Sequence, residues 1–245
     1  MQPVLQTTRS VGLQLLDFLY PLYCVLCGVK VPADSGELCA DCLETFPKNG
    51  PPFCPYCGLG QLAQPDPTLC PSCQGKPFVF DQAWAPFLYE GPVRECLHHF
   101  KYRERALLAK PLSERLVHFA KTFLPLTGFD VLMPVPLFSK RERERGYNQS
   151  LLLSRPLSVA AGLPLFTRSL LRSRETASQI SLSKKGRLKN VSIAFRVRSP
   201  HLLQGKRVLL LDDILTTGAT ANACAATLKE AGASSVCVLT LARGQ

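Results

Sequence analysis

The apolar and polar positions of this chain follow two patterns, which divide it near residue 78. Beyond that point, short apolar runs alternate with segments in which apolar residues recur every three or four positions. The runs predict buried strands, and the wider spacing predicts helices. We expect strands at 83–89, 131–136, 191–197, 208–211 and 236–241, and helices at 93–119 with a break near Pro111, at 148–161 and at 219–230.

Strands that alternate with helices predict an α/β fold, in which a mostly parallel sheet carries helices on both faces. The N-terminal part lacks this alternation. Helical spacing of apolar residues predicts an amphipathic helix within residues 1–22, and residues 23–77 are expected to form a small separate module. A length of 245 residues then leaves 78–245 for one α/β domain of ordinary size.

The apolar residues near the N-terminus predict neither a membrane span nor a secretion signal. Gln14 and Asp17 interrupt this run, which is too short to cross a bilayer and is followed by no clear cleavage site. We therefore expect a cytoplasmic protein without a membrane span, whose first helix packs on the chain's own body.

Four Cys-x-x-Cys pairs lie in the small module, separated by 11, 11 and 12 residues. Tetrahedral zinc takes four thiolates, and a two-residue gap lets both sulfurs of a pair reach one ion. The spacing predicts two zinc ions. The first pair is expected to join the second and the third the fourth, with an interleaved arrangement as the alternative. The predicted ligands are Cys24, Cys27, Cys39, Cys42, Cys54, Cys57, Cys70 and Cys73.

The sequence Cys54-Pro55-Tyr56-Cys57 also allows a redox interpretation, because the same tetrapeptide is the active site of glutaredoxins. Such a motif should follow a strand in a βαβ unit, which this segment does not offer. Four protein ligands leave no position open for a reacting water, so the zinc is expected to be structural. The module is also too short and polar to fold without it.

The strand at 208–211 leads directly into an acidic pair and a hydroxyl-rich turn. Asp212 and Asp213 are suited to accept hydrogen bonds from vicinal ribose hydroxyls, because carboxylates act only as acceptors. The turn and the following helix N-terminus offer backbone N–H groups to a phosphate. The predicted phosphate-binding residues are Thr216, Thr217, Gly218, Ala219 and Thr220.

This stretch resembles the ribose-phosphate signature of type I phosphoribosyltransferases, since the apolar run, the acidic pair and the T-G-x-T turn occur together and in order. The resemblance implies a phosphoribosyltransferase-like domain that binds phosphoribosyl pyrophosphate (PRPP) with Mg²⁺, the ion lying near Asp212 and Asp213. A Walker-type phosphate loop, G-x-x-x-x-G-K-[ST], is absent from the sequence.

Positive charge is concentrated in the second part of the chain. Residues 1–80 carry four basic and six acidic side chains, whereas 139–198 alone carry 14 basic and three acidic ones. A field of this strength favours polyanions, either pyrophosphate or nucleic acid. Basic candidates for contact with DNA are Arg143, Arg145, Lys184, Lys185 and Arg187.

The segments at 133–150, 176–179 and 187–191, taken with the acidic motif and the cysteine pairs, resemble the ComF family, in which a double zinc ribbon precedes a phosphoribosyltransferase-like domain. The resemblance covers nearly the whole chain. It implies a pyrophosphate loop after the first core strand and a mobile loop at 172–190. The implied pyrophosphate-binding residues are Val135, Pro136, Leu137, Lys140 and Arg141.

The ComF resemblance also implies a bacterial role in natural competence or DNA utilisation. The favoured hypothesis is a PRPP-binding protein that handles single-stranded DNA, with competence-machinery proteins as candidate partners. Two alternatives remain, an active phosphoribosyltransferase and a regulator that only senses PRPP. No residue of the sequence identifies an acceptor base or a catalytic group.

Overall fold

The structure is a computed structural model that describes residues 21–61, 69–75, 77–173 and 194–244. The expected N-terminal helix and most of the expected mobile loop, with Lys184, Lys185 and Arg187, lie outside the described residues. Of the described helices, none is long and apolar enough to cross a bilayer.

The described residues of the cysteine-rich module contain little regular structure. Strands β1 (Leu22–Tyr23) and β2 (Lys30–Val31) form an antiparallel pair, and a single short helix, α1 (Ala40–Glu44), follows them. Gly28 and Gly58, which follow two of the cysteine pairs, have φ values of 72° and 67°, a region that glycine enters without the cost of a side chain. The chain can therefore turn tightly around the sulfur atoms.

The second part of the chain alternates strands and helices, as expected. In chain order these are β3 (Gln82–Trp84), β4 (Phe87–Leu88), α2 (Gly91–Tyr102), α3 (Ala109–Phe123), β5 (Val131–Pro134), α4 (Ser139–Arg145), α5 (Gln149–Ala161), β6 (Leu170–Arg172), β7 (Phe195–Val197), β8 (Arg207–Leu215), α6 (Ala219–Glu230) and β9 (Ser235–Arg243).

The central sheet is parallel throughout, with the order β3-β9-β8-β5, and β4 continues the pairing of β3 along β9. Period-two alternation sends the side chains of β8 to opposite faces. Leu209 and Leu211 pack on the face covered by α2, α3 and α5, while Val208 and Leu210 pack with α6 and the β6–β7 hairpin. This arrangement confirms the predicted mostly parallel α/β fold with helices on both faces.

Several element boundaries differ from the sequence expectation, and three of the differences have a clear physical reason or bear on the acidic pair. The helical segment breaks at 103–108, whereas Pro111 lies in the first turn of α3, where a missing N–H costs nothing. The strand expected at 83–89 is interrupted at Pro86, which has no N–H for a ladder. Strand β8 extends to Leu215 and so includes the acidic pair.

The cysteine module and the α/β domain share one hydrophobic core. Leu38, Leu43 and Phe46 belong to the same buried cluster as Phe87 and Phe100. Backbone hydrogen bonds cross the boundary, because the Ala83 N–H donates to the Tyr56 carbonyl at 2.7 Å and the Leu88 N–H to the Pro47 carbonyl at 2.9 Å. The module and the α/β domain are therefore joined by side-chain packing and by main-chain hydrogen bonds.

Candidate functional site

The predicted acidic pair lies at the carboxyl end of β8, beside the end of β5. In open α/β sheets the crevice for ligands forms where neighbouring strands connect to opposite faces. Here β5 leads to α5 on one face and β8 leads to α6 on the other. Asp212 and Asp213 thus occupy the position where this fold binds its ligands.

Two hydrogen bonds to one carboxylate oxygen hold the side chain of Asp212 in place. Its Oδ1 accepts from the Ser150 hydroxyl at 3.0 Å and from the Asp213 N–H at 2.9 Å. Burial and the neighbouring carboxylate of Asp213 together raise the pKa of Asp212 to about 7, although the ammonium of Lys101 acts in the opposite direction. A proton and a ligand cation would therefore compete for this carboxylate near neutral pH.

Asp213 forms an ion pair with Lys101, which sequence reasoning missed. The Lys101 Nζ lies 2.9 Å from the Asp213 Oδ1, and the two side chains are only 19% and 12% exposed. Burial alone would lower the pKa of Lys101, but the charge of Asp213 outweighs it and holds the pKa above its ordinary value. Lys101 lies in the last turn of α2, so a helix from outside the motif supplies a positive charge to the site.

The turn after β8 forms a small cavity suited to a phosphate. Gly218 has a φ of 77° and caps α6, which begins at Ala219. The cavity has a volume of about 110 Å³ and is lined by the whole turn from Thr216 to Ala221, together with Asp212 and Thr240. All five predicted phosphate-binding residues, Thr216, Thr217, Gly218, Ala219 and Thr220, therefore face one space with the first carboxylate.

Arg243, at the end of β9, binds the backbone at the start of this turn. Its guanidinium Nη1 donates to the carbonyls of Leu215 at 3.2 Å and Thr216 at 2.9 Å, and it also contacts the Gly244 carbonyl. The side chain is buried. Binding three carbonyls holds the backbone of the turn in place, a positioning role that the sequence did not reveal.

The predicted pyrophosphate loop begins next to the acidic pair. The Val135 N–H donates to the Leu211 carbonyl at 2.8 Å, and the Asn148 side chain donates to the Val135 carbonyl at 3.0 Å. Pro136 and Leu137 line a large cleft, and Lys140 is exposed at the start of α4. The loop thus begins beside the strand that carries the acidic pair.

Helix α4 separates two cavities. Arg141 and Arg145 line a cavity of about 350 Å³ together with Lys101, and the guanidinium of Arg145 lies 5.1 Å from the ring centre of Tyr102. Arg143 is exposed and lines neither cavity. Of the predicted basic residues that the structure describes, Arg141 and Arg145 share a cavity with Lys101, the ion-pair partner of Asp213.

The eight predicted zinc ligands form two separate groups. In each group all the sulfur atoms lie within 4.8 Å of one another, and the members are Cys24, Cys27, Cys39 and Cys42 in one and Cys54, Cys57, Cys70 and Cys73 in the other. This is the pairing that the sequence analysis favoured, first with second and third with fourth. The interleaved alternative does not occur.

The sulfur geometry fits tetrahedral zinc. A Zn–S bond of about 2.3 Å places neighbouring sulfurs of a tetrahedron roughly 3.8 Å apart. The Sγ atoms of Cys27 and Cys39 are 3.7 Å apart, and those of Cys57 and Cys70 are 3.5 Å apart. No cysteine forms a disulfide among the described residues. Both groups can therefore hold one zinc ion each.

Comparisons with known proteins agree with this division of the chain. A family described as "Double zinc ribbon domain" matches residues 15–74, and a family described as "Phosphoribosyl transferase domain" matches residues 133–245. The cysteine groups and the β8 site lie within these two matches respectively.

Two curated relatives match over nearly their whole length. The chain is 33% identical to the DNA utilization protein YhgH of Salmonella typhi, over 91% of this chain and 97% of that protein. It is 30% identical to competence protein F of Haemophilus influenzae, over 90% of this chain and 96% of that protein. Both relatives therefore match the module and the α/β domain together.

Among solved structures, the chain is similar to an allosteric regulatory enzyme of purine biosynthesis. The sequence identity is 22% and the TM-score is 0.40, and the match covers 58% of this chain but 29% of that enzyme.

Proposed function

Since this chain belongs to the ComF family, in which a double zinc ribbon precedes a phosphoribosyltransferase domain, we propose that it binds PRPP with Mg²⁺ at the carboxyl end of β8. We further propose that it handles single-stranded DNA in competence or DNA utilisation, in the bacterial cytoplasm and with competence-machinery proteins as partners.

The observation that supports PRPP binding most strongly is the continuity of the β8 site. The carboxylate of Asp212 and the phosphate-sized turn line one cavity. A ribose 5-phosphate needs acceptors for its hydroxyls and N–H donors for its phosphate, at the separation of one sugar ring. The site offers both in that order.

Mg²⁺ prefers carboxylate and phosphate oxygens, and Asp212 and Asp213 supply carboxylates at this site. When bound, the ion would neutralise charge on the diphosphate. The chain's own residues would orient the sugar, with Asp212 fixed by Ser150 and Asp213 by Lys101. Lys101, which pairs with Asp213, lines a second cavity with Arg141, Glu104 and Glu144. Lys101 and Arg141 are suited to the pyrophosphate end of the ligand.

The DNA part of the proposal is supported by the names of the relatives and by charge. Two relatives are called a DNA utilization protein and a competence protein. The 139–198 segment carries a large excess of basic residues, which include Arg143 and Arg145. Basic surfaces of this kind attract the phosphates of nucleic acids independently of sequence.

Calorimetric titration with PRPP, with and without Mg²⁺, tests the proposed site. We expect magnesium-dependent binding by the wild type, and affinity at least about tenfold lower in the variant Asp212→Asn/Asp213→Asn, because charge-assisted hydrogen bonds of roughly 1.5–3 kcal/mol each are lost. The matched control Asp34→Asn/Asp41→Asn removes the same charge from the exposed surface of the zinc module. Equal PRPP affinity in both variants would contradict the assignment of PRPP to the β8 site.

The transferase alternative is tested by pyrophosphate release. Incubation of the protein with Mg²⁺, PRPP and individual nucleobases should give no release if the chain only binds PRPP. Release that depends on one particular base would instead show that the chain is an active phosphoribosyltransferase.

A further inference from the structure

A cleft of about 830 Å³ lies on the far side of α4 from Lys101. We call it the arginine cleft, because it is lined by Arg155, Arg168, Arg172, Arg196 and Arg198. These arginines come from α5, from the segment after it and from both strands of the β6–β7 hairpin. Elements distant in sequence therefore converge to place five guanidinium groups around one space.

Two of these arginines form a regular row on the hairpin. Arg196 lies opposite Leu171, and the pairing continues to the next step, where the Arg198 N–H donates to the Ser169 carbonyl at 2.8 Å. Residues two apart in a strand point to the same side, so Arg196 and Arg198 are spaced by about 6.8 Å. This distance is comparable with the separation of successive phosphates in an extended single strand.

The cleft carries little compensating negative charge. Glu142 is the one acidic residue among its described lining residues. Arg155, Arg168, Arg196 and Arg198 are exposed, and none of them has an ion pair with another described residue. Charge complementarity therefore favours a ligand with several negative charges in sequence, rather than a single phosphate.

Apolar side chains are interspersed with the arginines. Leu137, Phe138 and Leu171 line the cleft and remain partly exposed, and the guanidinium of Arg172 lies 5.4 Å from the ring centre of Phe195. Unpaired bases stack on aromatic rings and on guanidinium planes, whereas the bases of a duplex are already stacked inside it. The mixed lining therefore suits a single strand better than a duplex.

We propose that the arginine cleft is the binding site for single-stranded DNA, with strand phosphates along Arg196, Arg198 and Arg155 and bases against the apolar lining. This proposal rests on the proposed function, which it makes specific. It places the strand on residues other than Arg143 and Arg145.

The cleft shares a wall with the proposed PRPP site. The segment 136–139, which is part of the predicted pyrophosphate loop, lines the cleft. A strand phosphate and the pyrophosphate of PRPP would then approach the same loop with like charges. By linkage, each ligand lowers the affinity for the other by the same factor. We expect excess PRPP with Mg²⁺ to weaken DNA binding severalfold.

Three variants with equal loss of charge test the location. The cleft variant is Arg155→Gln/Arg196→Gln/Arg198→Gln, the α4 variant is Arg141→Gln/Arg143→Gln/Arg145→Gln, and the control is Arg94→Gln/Arg103→Gln/Lys121→Gln on exposed positions elsewhere. Fluorescence anisotropy with a labelled oligo(dT) strand is measured for each across a salt series. PRPP affinity is measured separately by calorimetry.

The cleft variant should bind the strand at least about tenfold more weakly, and its salt slope should fall by about 0.7 for each strand phosphate that no longer meets an arginine. Its PRPP affinity should change less than about threefold, and the control should bind DNA almost as the wild type does. Equal losses of DNA affinity in the cleft and control variants, or a larger loss in the α4 variant, would overturn the cleft as the site. A wild type that binds PRPP but shows no salt-dependent affinity for the strand would overturn both this inference and the DNA part of the proposed function.

Discussion

At the scale of single residues, the buried carboxylate of Asp212 lowers the free energy of unfolding at neutral and alkaline pH. Its pKa is raised to about 7, because the folded protein buries the carboxylate next to Asp213. The folded state therefore binds this proton more tightly than the unfolded chain does. The resulting stability is complete below about pH 4 and is lost as the pH rises through 7.

Substitution of Asp212 by Asn should therefore stabilise the ligand-free protein at alkaline pH. The amide keeps an acceptor for Ser150 and removes the buried charge. We expect little change at pH 4 and a gain that grows up to about pH 8, where it reaches as much as ~4 kcal/mol. Thermal melting at several pH values measures it, and a variant that is less stable than the wild type at pH 8 would contradict this account of the carboxylate.

The ion pair of Lys101 and Asp213 gives a second prediction at this scale. Lys101→Met leaves a buried carboxylate without its partner, which should cost about 3–5 kcal/mol in the free energy of unfolding. The double variant Lys101→Met/Asp213→Asn should recover most of that loss, because it leaves no buried charge unpaired. Denaturant unfolding of the two variants checks this, and equal stability of both would show that the pair is not coupled.

The sequence identified the acidic pair but not Lys101, for a physical reason. Asp212, Asp213 and the turn are contiguous, so their chemistry is visible as one motif. Lys101 reaches the pair only because α2 ends there. The packing of α2 against the end of β8 is a tertiary contact, which the sequence around Lys101 does not show.

At the scale of elements, the long periodic segments were predicted well, and the short strands β5 and β7 lie within predicted strands, whereas β6 and α4 were not predicted. Helices α5 and α6 occur where the spacing placed them, with Asn148 and Gly218 as their N-caps. Strand β6 has three residues and α4 has seven, too few for a periodic signal. The arginine cleft consists largely of these short elements, so the sequence showed its charge but not its shape.

Arg243 connects two elements, and its replacement tests how the phosphate turn is held. Arg243→Met keeps much of the apolar stem but removes the hydrogen bonds to Leu215 and Thr216. We expect weaker PRPP binding by about tenfold together with a loss of stability, since buried carbonyls lose their partners. The control Arg207→Met removes an exposed arginine from the opposite end of the sheet. An Arg243 variant with PRPP affinity equal to that of the control would show that the turn does not depend on Arg243.

At the scale of the whole molecule, the zinc module and the α/β domain behave as one unit because they share a core. Chelation should release two zinc ions per chain and lower the melting temperature of the entire protein, rather than of the module alone. The single tryptophan, Trp84, is buried on β3 next to the module, and its fluorescence reports on this interface. Metal analysis that finds no zinc, or an unchanged Trp84 transition after chelation, would contradict the coupling.

Two charged regions on either side of α4 give the molecule its proposed function. One contains the acidic pair with Lys101, and the other is the arginine cleft. We propose that a small phosphoribosyl ligand binds in the first and a DNA strand in the second. The central claim is that the small ligand binds at the β8 carboxylates.

The most direct test of that claim is the melting temperature of the wild type and of Asp212→Asn, each measured at pH 8 with and without Mg²⁺ and PRPP. At a PRPP concentration about 100 times the dissociation constant, the wild type should gain about 2.7 kcal/mol, or roughly 5–10 °C. The variant should begin at a higher melting temperature and gain clearly less from the ligand, about 1.4 kcal/mol if its affinity is tenfold lower. An equal rise in both proteins, or none in the wild type, would contradict the assignment of the site.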